Sequence, residues 1–345
     1  MPSSDHYVII GNGPAGNHAA LTLRQQDAAS RITIISDECV PYYYKPRLTG
    51  FIADTVSREE LLVCSLESYA EKKIQVRLGQ RVEQIDTGSN HLLLHQKEVL
   101  AYSKLMIASG SSSRILPSME PFASALKFVT SYTDVMGYKD QIKNARDFFI
   151  FGGDFVGFKF LRMLEAMGKN VTILIDPHAF WPYHLSDTML DQIVRSLSKT
   201  RATVIVRDDI KRIDGRDGAY RIETRNGVEK IVDMVFSFNG MIPNTDFARG
   251  SGIDIDHGIL VDEYLKTSND DIYACGSCAQ IYHPGIKNYT VTIGWPNAVA
   301  QGEVAALNLL GEKKIISSVG RKYFDLEGVK IKTTWWNDID DDPQR

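Results

Sequence analysis

The sequence predicts an α/β protein that contains two similar strand–turn–helix–strand units. The first unit begins with YVIIGNGPAG, Tyr7 to Gly16, in which a short apolar run reaches a glycine turn and a helical pattern follows. The second begins with FFIFGGDFVG, Phe148 to Gly157, about 140 residues later. In each unit a second apolar strand follows the helix and ends at an acidic residue. This repetition favours two domains, each with a parallel sheet.

Three glycines of the first unit have the spacing of a dinucleotide-binding turn. Gly11 allows the tight turn, Gly13 lets a pyrophosphate approach bare backbone, and Gly16 lets the helix and strand pack closely. The free N–H groups at the start of the helix favour a bound anion. The second strand ends at Asp37 and Glu38, and an acid at this place can accept a hydrogen bond from a ribose hydroxyl.

Composition and charge exclude several functional classes. The chain has 345 residues, enough for two or three domains, and its net charge of -4 supplies no positive field for nucleic acid. No apolar run approaches the ~18 residues of a membrane span, and no signal peptide precedes the first strand, so we expect a cytoplasmic protein. The four cysteines are too few for the disulfide framework of a secreted chain of this length.

An aromatic and basic loop, PYYYKPRLTGF, runs from Pro41 to Phe51. Three consecutive tyrosines followed by Lys45 and Arg47 suit a planar ligand that carries phosphates. The alternative is a loop that packs over the sheet, and both interpretations can hold at once.

Other segments are predicted from pattern alone. The acid-rich stretch Arg58 to Lys73 is predicted as a helix, and a further helix is predicted after the small-residue turn at Gly276 and Ser277. The chain beyond Gly311 is predicted to form a short strand pair.

Seven segments together resemble the FAD-dependent pyridine nucleotide-disulfide oxidoreductase superfamily, and within it the NADH:rubredoxin reductase, ferredoxin reductase and nitrite reductase-like flavoproteins. In chain order they are IIGNGPAG, ISDECVPYYYKPRL, LMIASGS, FIFGGDFVGF, FNGMIPNTDF, DIYACGSCAQ and WPNAVAQGEVAALNLLGE. The resemblance spans Tyr7 to about Gly311. It implies two Rossmann-like three-layer FAD/NAD(P)-binding domains of the glutathione reductase-like type, with a truncated C-terminal interface segment.

The resemblance also implies how the chain is divided. The FAD-binding domain is expected to combine residues 1–118 and 246–311, with an NAD(P)-binding-like domain at 119–245 and a short segment at 312–345. Most relatives carry a larger C-terminal domain that closes the active site and forms dimers. We therefore expect another protein to cover this surface, in a hetero-oligomer or an atypical homo-oligomer.

The resemblance transfers ligand contacts to particular residues. For FAD these are Gly11, Gly13, Pro14, Ala15, Gly16, Asp37, Glu38, Lys45, Arg47, Val82, Ala108, Ser109, Gly110, Gly276, Ser277 and Trp295. For NAD they are Gly152, Gly153, Asp154, Gly157, Asp176 and Gly240. No catalytic acid or base is assigned, because hydride transfer between NADH and a flavin depends on geometry and redox tuning.

Two residues depart from the family pattern at these positions. Asp154 stands where the second turn should have a glycine; its side chain obstructs a pyrophosphate, and its charge repels one by ~1 to 4 kcal/mol at 4 Å. Lys159, where the family usually has glutamate, is expected to neutralise Asp154 in part. NAD(H) is therefore a possible second ligand, and Asp176 favours NAD over NADP. Ser277 replaces an aspartate that holds a ribityl hydroxyl; a serine makes a weaker hydrogen bond, and we expect FAD binding to survive.

Cysteine and histidine patterns predict no metal site. Cys275 and Cys278 form a CxxC pair, which is typical of a redox pair or half of a metal site. No second pair accompanies them, so a structural role is favoured. His178 and His184 match no metal-binding spacing.

The predicted function is an FAD-dependent oxidoreductase that transfers electrons between NAD(P)H and a redox partner protein of the rubredoxin, ferredoxin or iron–sulfur type. An alternative is an FAD electron-transfer subunit of a larger complex with a degenerate NAD site, which Asp154, Lys159 and the truncated C-terminal segment favour. A third hypothesis is a flavoprotein scaffold in which both sites are structural.

Overall fold

The structure is a computed structural model, which describes residues 5–176, 179, 186–216, 218–292, 294–316 and 323–332. His178, His184 and the acidic tail from Trp335 lie outside this part of the chain. The helices in it are α1 (Pro14–Gln26), α2 (Leu48–Ile52), α3 (Arg58–Leu61), α4 (Leu66–Glu71), α5 (Tyr132–Asn144), α6 (Phe155–Ala166), α7 (Asp187–Leu197) and α8 (Trp295–Leu309). Across the described ranges, none of the helices has the length and apolar character needed to cross a membrane.

The strands, in chain order, are β1 (His6–Ile10), β2 (Arg31–Ile35), β3 (Ile74–Arg77), β4 (Val82–Asp86), β5 (His91–Leu94), β6 (Val99–Ala101), β7 (Lys104–Ile107), β8 (Ser111–Ser113), β9 (Leu126–Lys127), β10 (Asp147–Gly152), β11 (Asn170–Ile175), β12 (Thr203–Val206), β13 (Ile210–Arg216), β14 (Ala219–Thr224), β15 (Glu229–Val232), β16 (Met234–Phe238), β17 (Met241–Pro243), β18 (Ile259–Val261), β19 (Ile272–Ala274), β20 (Ala279–His283), β21 (Asn288–Val291), β22 (Tyr323–Leu326) and β23 (Val329–Lys332).

The first sheet is parallel and has the order β19-β7-β1-β2-β3. The edge strand β19 begins at Ile272, so the chain returns to the first sheet after it has formed the second unit. Helices α1 and α8 pack against each other. The antiparallel ribbon β4-β5-β6 adds Val82 and Leu92 to the same apolar core as Val8 and Ala305. This first unit is therefore built as layers of helices, parallel sheet and β-ribbon.

The second sheet repeats this plan in the order β12-β11-β10-β16-β9. Alternate residues of β10 enter different cores, since successive side chains of a strand point to opposite faces. Phe148 packs in a cluster that includes Leu161 and Leu190 of the helices. Phe149 packs in a second cluster with Ile222 of the ribbon β13-β14-β15. Burial on both faces explains why β10 is a continuous apolar run.

Two features join the units. Strands β8 and β17, where the chain leaves and re-enters the first unit, pair antiparallel. Leu48 and Phe51 of the tyrosine loop and α2 belong to the same apolar cluster as Val135 and Phe158 of the second unit. The segment that follows β2 is therefore packed into the neighbouring core.

Three local predictions meet different outcomes. The single helix predicted over Arg58–Lys73 is wrong: Ser57 and Ser65 each cap a separate short helix, and Leu62 between them bridges to Tyr43. The helix predicted after Ser277 is also wrong, because one 3-10 turn leads into β20, which pairs with β18 and β21. The strand pair predicted beyond Gly311 is present as β22 and β23.

Candidate functional site

The first glycine turn is closed by backbone contacts that exclude side chains. Gly11 has φ +106°, and its N–H donates to the carbonyl of Ile35 at 2.7 Å. A Cβ at Gly11 would lie 2.2 Å from the carbonyl oxygen of Ala108, and one at Gly16 would lie 2.0 Å from the carbonyl oxygen of Gly11. Glycine is therefore required at both positions for β1, α1 and β7 to come together.

Gly13 differs from Gly11 and Gly16 because a side chain added there would meet no neighbouring atom. It is the N-cap residue of α1, with φ −85°, no side-chain cap, and no atom within 4 Å of an added Cβ. The first N–H groups of α1, which begins at Pro14, have no intrahelical partner. The side-chain nitrogen of the neighbouring Asn12 is buried without a hydrogen-bond partner. A bare helix end and an unused donor fit a phosphate-bearing ligand such as the pyrophosphate of FAD.

A cavity of about 670 Å³ opens beside this turn. It brings together four predicted FAD residues from four separate segments, namely Gly11, Asp37, Val82 and Ser109. It is also lined by residues that the sequence interpretation did not assign to a site: Arg81, Arg114, Met241, Asn244, Phe247 and Arg249. The pairing of β8 with β17 places Met241 there, and the only sequence signal for this part of the cavity was the segment FNGMIPNTDF, which contains Met241, Asn244 and Phe247.

The two acids at the end of β2 point to different places. Asp37 is exposed and lines the cavity. Glu38 accepts hydrogen bonds from the hydroxyl of Tyr43 at 2.7 Å and from the backbone N–H of Tyr132 at 3.2 Å. Lys45 lies 3.4 Å from the same carboxylate. Asp37 is therefore the acid that faces the cavity, whereas Glu38 holds the loop and α5 together.

The basic residues of the loop do not line the cavity. Lys45 donates to the carbonyl of Thr130 at 3.2 Å, and Arg47 donates to the carbonyl of Glu60 at 2.7 Å. The guanidinium of Arg47 also lies 5.7 Å from the ring centre of Tyr44. These contacts match the alternative of a loop packed over the sheet, and any role of the two cations toward FAD stays a prediction.

Trp295, the first residue of α8, is held by this loop. Its indole N–H donates to the hydroxyl of Tyr42 at 2.8 Å, and its ring meets those of Tyr44 and His18 edge to face. Tyr42 is buried, which raises the pKa of its hydroxyl. The phenol therefore stays protonated and is a fixed neutral acceptor for Trp295.

The middle of α8 is fixed against α1 and the turn at Gly276. A Cβ at Gly302 would lie 2.2 Å from the carbonyl oxygen of Ala15. Gln301, which is 1% exposed, accepts the N–H of Gly276 at 2.7 Å. Gly276 has φ +79°, and Ser277 follows it, partly exposed, in the 3-10 turn. The turn, the start of α1 and the middle of α8 are thus brought together by close contacts.

The third predicted contact segment, Ala108 to Gly110, lies at the end of β7. Ala108 is buried, and Gly110 has φ +68°. The hydroxyl of Ser109 donates to the carbonyl of Asn244 at 2.7 Å. This bond joins the turn to the wall of the cavity.

The second glycine turn resembles the first at its first and last glycines. Gly152 has φ +100°, and a Cβ there would lie 2.2 Å from the carbonyl oxygen of Phe238. Gly153 has φ +93° and donates its N–H to that carbonyl at 2.8 Å. A Cβ at Gly157 would lie 2.8 Å from the side chain of Phe238, and the N–H of Asp176 donates to Gly152 at 3.0 Å. The scaffold of a nucleotide site is therefore present here too.

Asp154 is the N-cap residue of α6 and turns its carboxylate onto the helix. It accepts from the N–H groups of Val156 and Gly157 at 2.9 Å each, and from Gly240 at 3.2 Å. Burial raises the pKa of this carboxyl, and the three donors oppose that rise. The expected neutralisation by Lys159 is not what the structure has, because the Lys159 ammonium donates to the carbonyl of Pro46.

Cys275 and Cys278, which flank the turn after β19, are both fully buried. The thiol of Cys278 donates to the carbonyl of Cys275 at 3.2 Å. Burial raises the pKa of both thiols, which disfavours the thiolate needed for redox or metal chemistry. Within the described ranges, no group of three or more His, Cys, Asp or Glu residues could hold a metal ion.

Comparisons with known proteins agree with these features. A family model described as pyridine nucleotide-disulphide oxidoreductase matches residues 5–302. The chain is 30% identical over 323 residues to an NADH-rubredoxin oxidoreductase of Clostridium acetobutylicum, covering 92% of this chain and 77% of that protein. It is 24% identical over 327 residues to a rubredoxin-NAD(+) reductase of Pseudomonas putida, covering 94% of this chain and 85% of that protein.

A solved structure shows the same fold. The covalent putidaredoxin reductase–putidaredoxin complex matches with a TM-score of 0.83 and 23% identity, over 94% of this chain and 80% of that chain. The predicted superfamily, α/β fold and oxidoreductase class are therefore confirmed. Proteins of this family bind FAD and NAD(H). Its model matches nearly the whole described chain, and on that ground the protein belongs to the pyridine nucleotide-disulphide oxidoreductase family.

Proposed function

We propose that this protein is an FAD-dependent oxidoreductase that takes electrons from NADH and passes them to a small iron protein of the rubredoxin or ferredoxin type. The observation that carries the proposal is the uncapped N-terminus of α1 at Gly13, next to a cavity lined by Asp37, Val82 and Ser109. The names of its relatives, NADH-rubredoxin oxidoreductase and rubredoxin-NAD(+) reductase, support the choice of donor and acceptor.

In the proposed FAD site, each part of the ligand lies beside a different group of these residues. The turn from Gly11 to Gly16 would hold the pyrophosphate, and Asp37 would accept from the adenosine ribose, with Val82 beside the adenine. The flavin end would lie toward Gly110, Ser277 and Trp295. FAD, when bound, takes up an electron pair as hydride from NADH and gives the electrons up singly.

The residues of the chain position the ligands and do not themselves react. The close approach of Gly302 to Ala15 packs the middle of α8 against the start of α1, whose positive end would face the ligand. Trp295 is held in place by Tyr42. The buried thiols of Cys275 and Cys278 remain protonated, which favours electron transfer without a disulfide intermediate.

The donor and acceptor imply a fixed stoichiometry. One NADH supplies two electrons and leaves as NAD⁺, whereas a rubredoxin- or ferredoxin-type iron centre accepts one electron. Two molecules of the iron protein are therefore reduced for each NADH oxidised.

We also propose the domain division 1–118 with 246–311 for FAD, 119–245 for the nicotinamide nucleotide, and 312–345 as a short C-terminal segment. The return of β19 to the first sheet and the pairing of β8 with β17 support these boundaries. For location we propose the cytoplasm: all four cysteines are free thiols, which is usual in a reducing compartment. Fractionation of the producing cells would test this, and recovery outside the cytoplasm would contradict it.

The test of the function is an anaerobic titration of the purified yellow protein with NADH, followed by flavin absorbance. We expect the flavin to bleach, and then to regain its colour when oxidised rubredoxin or ferredoxin is added. A flavin that stays oxidised at saturating NADH, yet bleaches with dithionite, would contradict NADH as the donor. A flavin reduced by NADH that no iron protein reoxidises would contradict the proposed acceptor.

A further inference from the structure

The two glycine turns have nearly the same backbone conformation at the N-cap residue of the helix that follows, but this residue differs in chemistry between them. Gly13, the N-cap of α1, has φ −85° and ψ −169°, and Asp154, the N-cap of α6, has φ −69° and ψ −174°. Each stands at the middle glycine position of its motif. The two N-cap residues therefore have nearly the same conformation, and at this position the units differ by the side chain of Asp154.

The carboxylate of Asp154 occupies the position at the start of α6 where an external anion would bind. Val156 and Gly157 donate their N–H groups to one carboxylate oxygen of Asp154, and Gly240 donates to the other. In the first unit the N-cap residue Gly13 leaves the corresponding helix end uncapped. N–H groups at a helix start are the donors that a dinucleotide pyrophosphate uses. In the second unit these donors are already engaged by the protein.

The surrounding groups do not make room for a second anion. Lys159, one turn along α6, directs its ammonium to the carbonyl of Pro46. Burial and the three backbone N–H groups are the influences that act on the Asp154 carboxyl. A pyrophosphate at this position would meet a negative charge at close range and without a neutralising cation supplied by Lys159.

We propose that Asp154 is a built-in anion that occupies the pyrophosphate position of the second unit, so that a nicotinamide dinucleotide binds only by displacing this carboxylate. The inference rests on the proposed function, because it concerns how the electron donor binds. Displacement weakens binding without altering the nicotinamide end. Asp154 thus sets the affinity for NADH, raising KM while leaving kcat unchanged.

The experiment measures binding of NAD⁺ to the oxidised, FAD-loaded protein by calorimetry, which does not depend on turnover. Wild type is compared with Asp154→Gly, which copies the first turn, and Asp154→Asn, which retains a capping oxygen without the charge. We expect the Kd of NAD⁺ to fall at least tenfold in Asp154→Gly, with Asp154→Asn between it and wild type. In NADH turnover, KM should fall with kcat unchanged.

Ser186→Gly is the matched control. Ser186 caps α7 through the N–H of Met189, so this variant also loses an N-cap in the second unit but leaves the glycine turn intact. Its Kd for NAD⁺ should equal that of wild type. A thermal melt of each variant establishes that it is folded and holds FAD.

An unchanged or weaker Kd in folded Asp154→Gly would overturn the inference, as would a Ser186→Gly variant that tightens binding to the same extent. Failure of the proposed function would look different. NADH would then reduce the flavin of neither wild type nor Asp154→Gly, whatever the Kd of NAD⁺ for the two proteins. Tight binding by Asp154→Gly without flavin reduction would uphold the role of Asp154 and contradict only NADH as the donor.

Discussion

The hydroxyl of Tyr43 donates to the carboxylate of Glu38 at 2.7 Å, and the two residues together receive the first N–H of α5 from Tyr132. Tyr43 is 4% exposed. This contact links the end of β2 in the first unit to a helix of the second. It gives the two neighbouring acids, Asp37 and Glu38, separate tasks that substitution can distinguish.

Asp37→Ala and Glu38→Ala form a pair in which each variant is the control for the other. Asp37→Ala removes a carboxylate that faces the cavity, so we expect FAD affinity to fall by about tenfold or more with little change in stability. Glu38→Ala leaves Tyr43 without its acceptor, so we expect unfolding to become easier by about 1.5 to 3 kcal/mol with FAD still bound. Flavin content and chemical denaturation measure the two effects. The reverse pattern would show that Glu38 meets the ribose.

Gly13→Asp makes in the first turn the reverse of the Asp154→Gly change in the second. The backbone at Gly13 suits an aspartate, and an added Cβ meets no atom within 4 Å, so the variant should fold and cap α1. The carboxylate would then take the N–H groups intended for pyrophosphate, and we expect colourless protein. Gly137→Asp is the control, because Gly137 lies on α5 with the same open space around it. If Gly13→Asp retains full flavin, the FAD site is placed wrongly.

Stability at acid pH should depend on Asp27. Hydrogen bonds, chiefly from Ser30, lower the pKa of this carboxyl from 3.8 to about 2. Because the folded-state pKa is depressed, the stabilisation is fully present above pH 3.8 and is lost as the pH falls from 3.8 toward 2. With allowance for solvent screening it amounts to about 1 kcal/mol.

The measurement is denaturant unfolding at pH 3 and pH 6 for wild type, Asp27→Asn and Asp140→Asn. Asp140 is an exposed carboxylate on α5 and serves as the control. The stability difference between wild type and Asp27→Asn should shrink at pH 3, while that for Asp140→Asn stays constant. An equal difference at both pH values would contradict the role of Asp27.

Gln301→Leu should loosen the turn at Gly276. Gln301 accepts the N–H of Gly276 and donates to the hydroxyl of Thr292 at 2.5 Å, and leucine leaves both groups unsatisfied. We expect a loss of about 1 to 3 kcal/mol in stability and reduced FAD content. Gln141→Leu, at an exposed position of α5, should change stability by less than about 0.5 kcal/mol. Equal melting curves for Gln301→Leu and wild type would show that the turn does not need this bond.

Local sequence patterns were sufficient to predict both glycine turns and the strands and helices that flank them. Gly11 and Gly152 occupy a backbone region that favours glycine, and continuous apolar runs mark β1 and β10 as buried strands. The position of Asp154 was visible too. Its capping of α6 was not predicted, because the preference of aspartate for an N-cap was not weighed beside its charge.

Other assignments required the tertiary structure. Sequence alone does not choose between Asp37 and Glu38, because the choice depends on Tyr43 and on Tyr132, a residue more than 90 positions away. The cavity wall near Asn244 depends on β17 reaching β8. The amino-acid sequence by itself therefore determined the nucleotide-binding framework, since that framework rests on short-range sterics and periodicity. Only the tertiary structure decided which polar groups stay free for a ligand, because their partners come from distant parts of the chain.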